Sequence, residues 1–137
     1  MSEQEQIDVA FRVIADHLRT TSFAIADGIL PSNDRRNYVI RRILRRAVKF
    51  GRTLGFGESE PFLSKLVPTL AEQMGDIFPE LRSRQAKIAE TLDQEEASFN
   101  QTLDRGIRLF EEALGTWRQR LLRETSPSLS RILLASR

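Results

Sequence analysis

The sequence predicts an all-α protein: a helical bundle of four to five helices, one of them long and acidic. Three observations predict it. Apolar residues recur at 3.6-residue spacing through most of the chain, and no stretch shows the period-2 alternation of a strand. The interruptions between periodic runs fall at glycine and proline. With 137 residues, 40% hydrophobic and 29% charged, the chain has the balance of an ordinary globular domain. A chain of this length buries about two-thirds of its unfolded surface, enough for a core without covalent staples.

The first helix is expected from about Ile7 to Ala26, with Ile7, Ala10, Phe11, Ile14, Leu18, Phe23 and Ile25 on its apolar face. Asp27-Gly28 stops it, because Gly28 is free to adopt the left-handed conformation of a helix C-cap. After the loop Ile29-Leu30-Pro31-Ser32-Asn33, either Ser32 or Asn33 is placed to cap the second helix, expected from about Asp34 to Thr53. Gly55 and Gly57 break that helix. Glu58-Ser59-Glu60-Pro61 reads as the start of a third, carrying Phe62, Leu63, Leu66, Val67, Leu70 and Met74, with a kink at Pro68.

The long acidic helix is expected from about Glu80 to Leu114, apolar at Leu81, Ile88, Leu92, Phe99, Leu103, Ile107, Phe110 and Leu114. Gly106 and Gly115 are its expected kinks or ends. Residues 1–114 thus form one helical domain and residues 115–137 a tail, in which Thr116 to Arg123 can continue a helix and Thr125-Ser126-Pro127-Ser128 reads as a linker.

Composition excludes several function classes. Cysteine is absent, which removes disulfides, thiolate zinc sites and thiol nucleophiles, and fits a reducing compartment. No run of about 18 apolar residues is present to span a membrane. The start, Met1-Ser2-Glu3-Gln4-Glu5-Gln6, is unlike a secretory signal, so a cytoplasmic location is expected. His17, the one histidine, has no convergent ligands in the sequence and reads as structural or surface. Glu95-Glu96 point about 100° apart on a helix and read as solvated or salt-bridged acids. Gly55-x-Gly57 lacks the strand and third glycine of a dinucleotide loop. Ser22 and Ser64 lack a base, and Trp117 reads as a packing residue. Neither a catalytic centre nor a metal site is expected in this chain.

The second helix carries the chemistry. Projected at about 100° per residue, Val39, Ile40, Ile43, Leu44, Ala47, Val48 and Phe50 fall on one half. Arg35, Arg41, Arg42, Arg45, Arg46, Lys49 and Arg52 fall on the other with Tyr38, and only Arg36 breaks the division. Asp34 is the sole acid in the segment, so the face has no i,i+4 carboxylates of its own. One reading is a solvated face, or one paired with the acidic helix. The sharper reading is a surface for phosphates, because guanidinium forks bind phosphate oxygens bidentately. Tyr38 then stacks on a base or sugar or simply packs, and Asn33, at the start of the helix, offers both a donor and an acceptor to a base edge.

At this point the residues resemble a known family. Arg12-Val13-Ile14-Ala15-Asp16-His17-Leu18-Arg19, Ala26-Asp27-Gly28, Pro31-Ser32-Asn33, the run Tyr38 to Val48, and Glu95-Glu96, Phe99, Thr102-Leu103 and Arg105-Gly106 are similar to the helical middle domain of alanyl-tRNA synthetases. The resemblance covers roughly residues 7 to 114. It implies a module that grips the acceptor stem of tRNA, with Asn33 helping to read an identifying G·U pair from the minor groove and Arg41, Arg42, Arg45 and Arg46 on the stem backbone. With Arg35, Arg36, Tyr38 and Lys49, these are the expected tRNA-binding residues. It also implies alanine–tRNA ligation in an intact enzyme, whose class II catalytic domain, with its ATP and magnesium, has no counterpart in this sequence.

The chain departs from the family in having Asn37 where glycine is usual, in lacking the downstream aspartate of the wobble site, and in residues 115 to 137. Alternative roles are a subunit completing a separate catalytic half and a helical self-association protein.

Overall fold

The computed structural model describes residues 2–58, 60–124 and 135. Among them are five α-helices, one 3-10 turn and no strand: α1 Glu3–Ala26, α2 Arg35–Thr53, the 3-10 turn Leu63–Leu66, α3 Val67–Met74, α4 Glu80–Ser83 and α5 Gln85–Glu124. The predicted all-α class holds. The chain divides into two compact units, Met1–Asn100 and Gln101–Arg137.

In the first unit α1 starts four residues before the apolar periodicity does, because a capping box holds its end. Ser2 Oγ accepts from the Glu5 amide at 3.2 Å and Glu5 Oε2 accepts from the Ser2 amide at 2.6 Å. Its other end closes as expected at Gly28, with φ of 89°. Arg84 donates to the Ala26 carbonyl, one of the acceptors a helix C-terminus leaves without an internal partner.

The expected cap of α2 is corrected. Asp34 is the N-cap and makes no side-chain capping bond, while Ser32 Oγ accepts the Asp34 amide at 3.1 Å and Asn33 is engaged elsewhere. Pro61 lies outside any helix, and Pro68 does not kink one. It occupies the first turn of α3, where its missing N–H is no loss. The single helix expected from Glu80 is two, broken at Arg84.

The core of this unit joins Ile14, Leu18 and Ile25 of α1 to Leu44, Ala47 and Val48 of α2, with Leu63, Val67, Leu81, Ile88 and Leu92 completing it. Phe23 meets Phe78 edge to face at a centroid distance of 4.9 Å. Glu96 lies fully buried among these apolar residues, its two oxygens accepting the Phe62 and Leu63 amides at 3.0 Å each. It ties α5 to the entry of the 3-10 turn. Burial pushes its carboxyl pKa up, and the two amide bonds only partly offset that.

The second unit's described residues 101–124 are helical, so neither Gly106 nor Gly115 ends α5, and the expected helical continuation to Arg123 is present. Ile107, Phe110, Leu114 and Trp117 follow one another at spacings of three and four and are all exposed. Trp117, expected to pack, is 62% exposed. The linker expected at residues 125–128 lies outside the described residues.

A Cβ at Gly106 or Gly115 would meet nothing within 4 Å, and neither residue has a positive φ. Alanine at either position should therefore stabilise the helix by about 0.5–1 kcal/mol, since glycine loses more chain freedom on folding. Thermal unfolding followed by far-UV circular dichroism checks this, and an unchanged or lower midpoint would contradict it.

Candidate nucleic-acid interface

The amphipathic division expected of α2 is rotated in the structure. Leu44, Ala47, Val48 and Gly51 are its buried residues, whereas Val39, expected on the apolar half, is 52% exposed. Arg41, Arg45 and Arg52, expected on the open half, are half-buried and reach toward α5. Glu95 takes Arg41 in a two-pronged bond, Oε1 accepting from Nη2 at 2.7 Å and Oε2 from Nε at 3.0 Å. The Arg45 guanidinium lies 5.1 Å from the centre of the Phe99 ring, and Arg52 Nε donates to Asn100 Oδ1 at 3.1 Å. The physical reason is that α2 has neighbours on two sides. α1 takes its apolar residues, and α5 takes a row of arginines at helical spacing, whose long stems cover apolar surface while their heads find acceptors or a ring face.

The basic face is therefore not wholly open, and the alternative of pairing with the acidic helix holds for Arg41. Its ion pair is sheltered, with side-chain exposures of 18% and 15%. The bond from Glu95 raises the Arg41 pKa further, so this guanidinium is charged at any working pH.

What stays outward is a narrower ridge. Arg35, Arg36, Tyr38, Arg42, Arg46 and Lys49 are exposed. Arg35, Tyr38, Arg42, Arg46 and Lys49 recur at three, four or seven residues, so they share one side of α2. From Arg35 to Lys49 the ridge runs about 21 Å at a rise of 1.5 Å per residue. None of its cations pairs with a carboxylate among the described residues. Arg46 leans on Phe50, 5.7 Å from the ring centre.

Asn33 sits at the start of this ridge, exposed, its Oδ1 accepting from Arg41 Nη1 at 2.7 Å. The structure thus brings the expected loop asparagine and basic helix together but turns Arg41 and Arg45 inward. The part of Glu95 was open to sequence reasoning only as a salt-bridged acid. Its link to Asn33 runs through Arg41, 54 residues away, and no local spacing reveals it.

Elsewhere in the first unit, His17 is half-buried. Burial first, then the Arg46 charge, lower its pKa, with Asp16 opposing, so it is neutral at pH 7. No group of three or more residues able to hold a metal occurs among the described residues. No helix among them is long and apolar enough to cross a membrane. A groove of about 1350 Å³ runs between α1 and residues 55–74, with Phe11, Ile14, Phe56, Leu66 and Leu70 among its walls.

Fold and site together define an all-α module bearing a basic helix ridge beside a polar loop. The chain belongs to the family described as tRNA synthetases class II (A), whose pattern matches residues 1–126. It is 65% identical over 103 residues to the alanine–tRNA ligase of Akkermansia muciniphila, a match covering 75% of this chain and 11% of that enzyme. It is 54% identical over 113 residues to the alanine–tRNA ligase of Chlorobium phaeobacteroides, covering 82% of the chain and 12% of the enzyme. A third, from Chlamydia muridarum, is 48% identical over 131 residues, covering 96% and 14%.

The chain therefore spans between 11% and 14% of the length of these relatives. The likeness does not stop near Leu114 as expected. The family pattern continues to residue 126, and α5 runs on to Glu124.

Proposed function

We propose that this chain is an RNA-binding module that holds the acceptor stem of tRNA and serves alanine–tRNA ligation in the intact enzyme. The observation that carries it is the ridge of Arg35, Arg42, Arg46 and Lys49 on one side of α2, free of carboxylate partners among the described residues. Uncompensated cations along one helix side repel one another and are relieved by a polyanion. Guanidiniums spaced along about 21 Å follow a phosphate backbone, while Tyr38 presents a ring for stacking. Asn33, exposed at the start of the ridge, is the group offered to a base edge, and A-form RNA exposes its edges and 2′-hydroxyls in a shallow minor groove. Arg41 and Arg45 act from within, shaping the loop and the α2–α5 contact, and Arg35, Arg36, Arg42, Arg46 and Lys49 supply the charge.

The test is binding of an acceptor-stem hairpin at several salt concentrations. Arg35, Arg42, Arg46 and Lys49, changed together to alanine, should weaken binding and lower the salt slope by about one unit per lost phosphate contact. All four are exposed, so the fold should survive. Equal affinity for wild type and variant at low salt would remove the assignment.

A second reading, a helical self-association module, is favoured by one observation: the exposed Ile107, Phe110, Leu114 and Trp117 of the second unit. Light scattering with and without RNA separates the two. A monomer that gains mass only with RNA supports the first, and a dimer without RNA supports the second.

A further inference from the structure

The loop asparagine is not free to turn. Glu95 occupies the Nε and Nη2 edge of the Arg41 guanidinium with both carboxylate oxygens, at 3.0 and 2.7 Å, which leaves Nη1 directed at Asn33, 2.7 Å from Oδ1. A guanidinium donates and never accepts, so the amide atom that meets it is the oxygen. With Oδ1 held, the Nδ2 amino group of this exposed residue has to face away from Arg41. An exposed asparagine otherwise rotates and offers a partner either its donor or its acceptor. Here only the donor is presented.

Resting on the proposed RNA-binding role, we propose that Glu95 is a positioning residue which, through Arg41, locks Asn33 as a hydrogen-bond donor toward the minor groove of the bound RNA. The groups it would address are acceptors: the O2 of a pyrimidine, the N3 of a purine or a ribose 2′-oxygen. The geometry gives Glu95 a task distinct from holding the fold, because the shielded pair uses the arginine's fork and leaves its third edge for the loop. Glu95 comes from α5 and Asn33 from the loop before α2, so discrimination by the loop depends on where α5 places one carboxylate.

Three variants of the full chain test this, with acceptor-stem hairpins carrying either a G·U or a G·C pair at the discriminated position as probes. Asn33→Asp keeps an oxygen for Arg41 but replaces the outward donor with an acceptor. It is exposed, so folding is preserved. A wobble pair sets its pyrimidine O2 at a different place in the minor groove from a Watson–Crick pair, so a donor held in one direction suits one of them, and the ratio of affinities for the two hairpins should fall by roughly tenfold when that donor is lost. Glu95→Gln breaks the two-pronged bond and should lower the same ratio several-fold while leaving the salt slope unchanged, since no phosphate contact is lost. It should also shift the Asn33 side-chain amide resonances in the free protein, a response that a merely structural role does not predict. Glu95→Asp, too short to reach with both oxygens, should behave like Glu95→Gln.

If the ridge variant of Arg35, Arg42, Arg46 and Lys49 loses binding but Asn33→Asp and Glu95→Gln keep the wild-type ratio, the lock is overturned and RNA binding stands. If the ridge variant binds like wild type, the RNA-binding reading fails, and the donor role toward RNA fails with it. Unmoved Asn33 amide resonances in a folded Glu95→Gln protein overturn the lock whatever the RNA result.

Discussion

Glu96→Ala is expected to destabilise the protein by about 2–4 kcal/mol, because two buried amide donors lose their acceptors at roughly 1–3 kcal/mol each. Both amides, Phe62 and Leu63, stand at the entry of the 3-10 turn, and the carboxylate that holds them is inaccessible to solvent. The removed charge gives some of this back, since an ion in an apolar surround is itself unfavourable. Burial dominates the pKa of Glu96 and raises it, so the folded state favours the protonated carboxyl more than the unfolded chain does. Stability from this group is therefore fully present below the unfolded value, near 4.3. It declines as pH climbs through the raised folded value.

Glu96→Gln should lack that decline and sit below wild type at neutral pH, because its amide offers one oxygen where two donors wait. Denaturant unfolding across the acidic range measures both effects. A Glu96→Ala protein as stable as wild type would mean that the two amides find other partners and that the carboxylate is not what closes the turn.

Gly51→Ala should cost about 1–3 kcal/mol, the usual range for forcing extra volume into a packed interior. Propensity alone gives the opposite sign, since alanine is favoured over glycine inside a helix by roughly 1 kcal/mol. The structure decides between them: a Cβ on Gly51 would stand 2.2 Å from Phe62 Cζ and 2.3 Å from Cε1. Nothing flexible lies at that contact. The ring packs on the core, stacks on Phe56 at a centroid distance of 5.7 Å and belongs to the residue whose amide Glu96 holds. Gly106 and Gly115 provide the control, being helical glycines with open space, where the same substitution should stabilise. A stabilised Gly51→Ala protein would show that Phe62 moves aside at little cost. Chemical denaturation of the three alanine variants side by side reads the contrast directly.

Much of the fold was legible because the signals were local. The 3.6-residue apolar spacing of α1 and α2, Gly28 after α1 and the glycines after α2 each act within a few residues of where they stand. The capping box at Ser2 and Glu5 was equally local and still escaped the periodicity, since it lies before the first apolar residue. Gly106 and Gly115 misled for the converse reason. Glycine lowers helix propensity without ending a helix when no competing turn is built around it. The basic character of α2 was visible in composition. Which of its arginines face outward was not, because a helical wheel carries no knowledge of how many neighbours a helix has.

By itself the sequence determined that the chain is all-α, that it has no cysteine chemistry, that α2 is amphipathic and rich in arginine, and that it belongs among the class II synthetases. Those properties follow from residue type and spacing along the chain. Only the tertiary structure decided that Arg41 answers to Glu95 and Asn33, that Glu96 is buried against the Phe62 and Leu63 amides, and that Arg35, Arg42, Arg46 and Lys49 form the outward ridge. Glu95 stands 54 residues from Arg41. Contacts at such separations are set by where packing brings the helices, and no local periodicity encodes that.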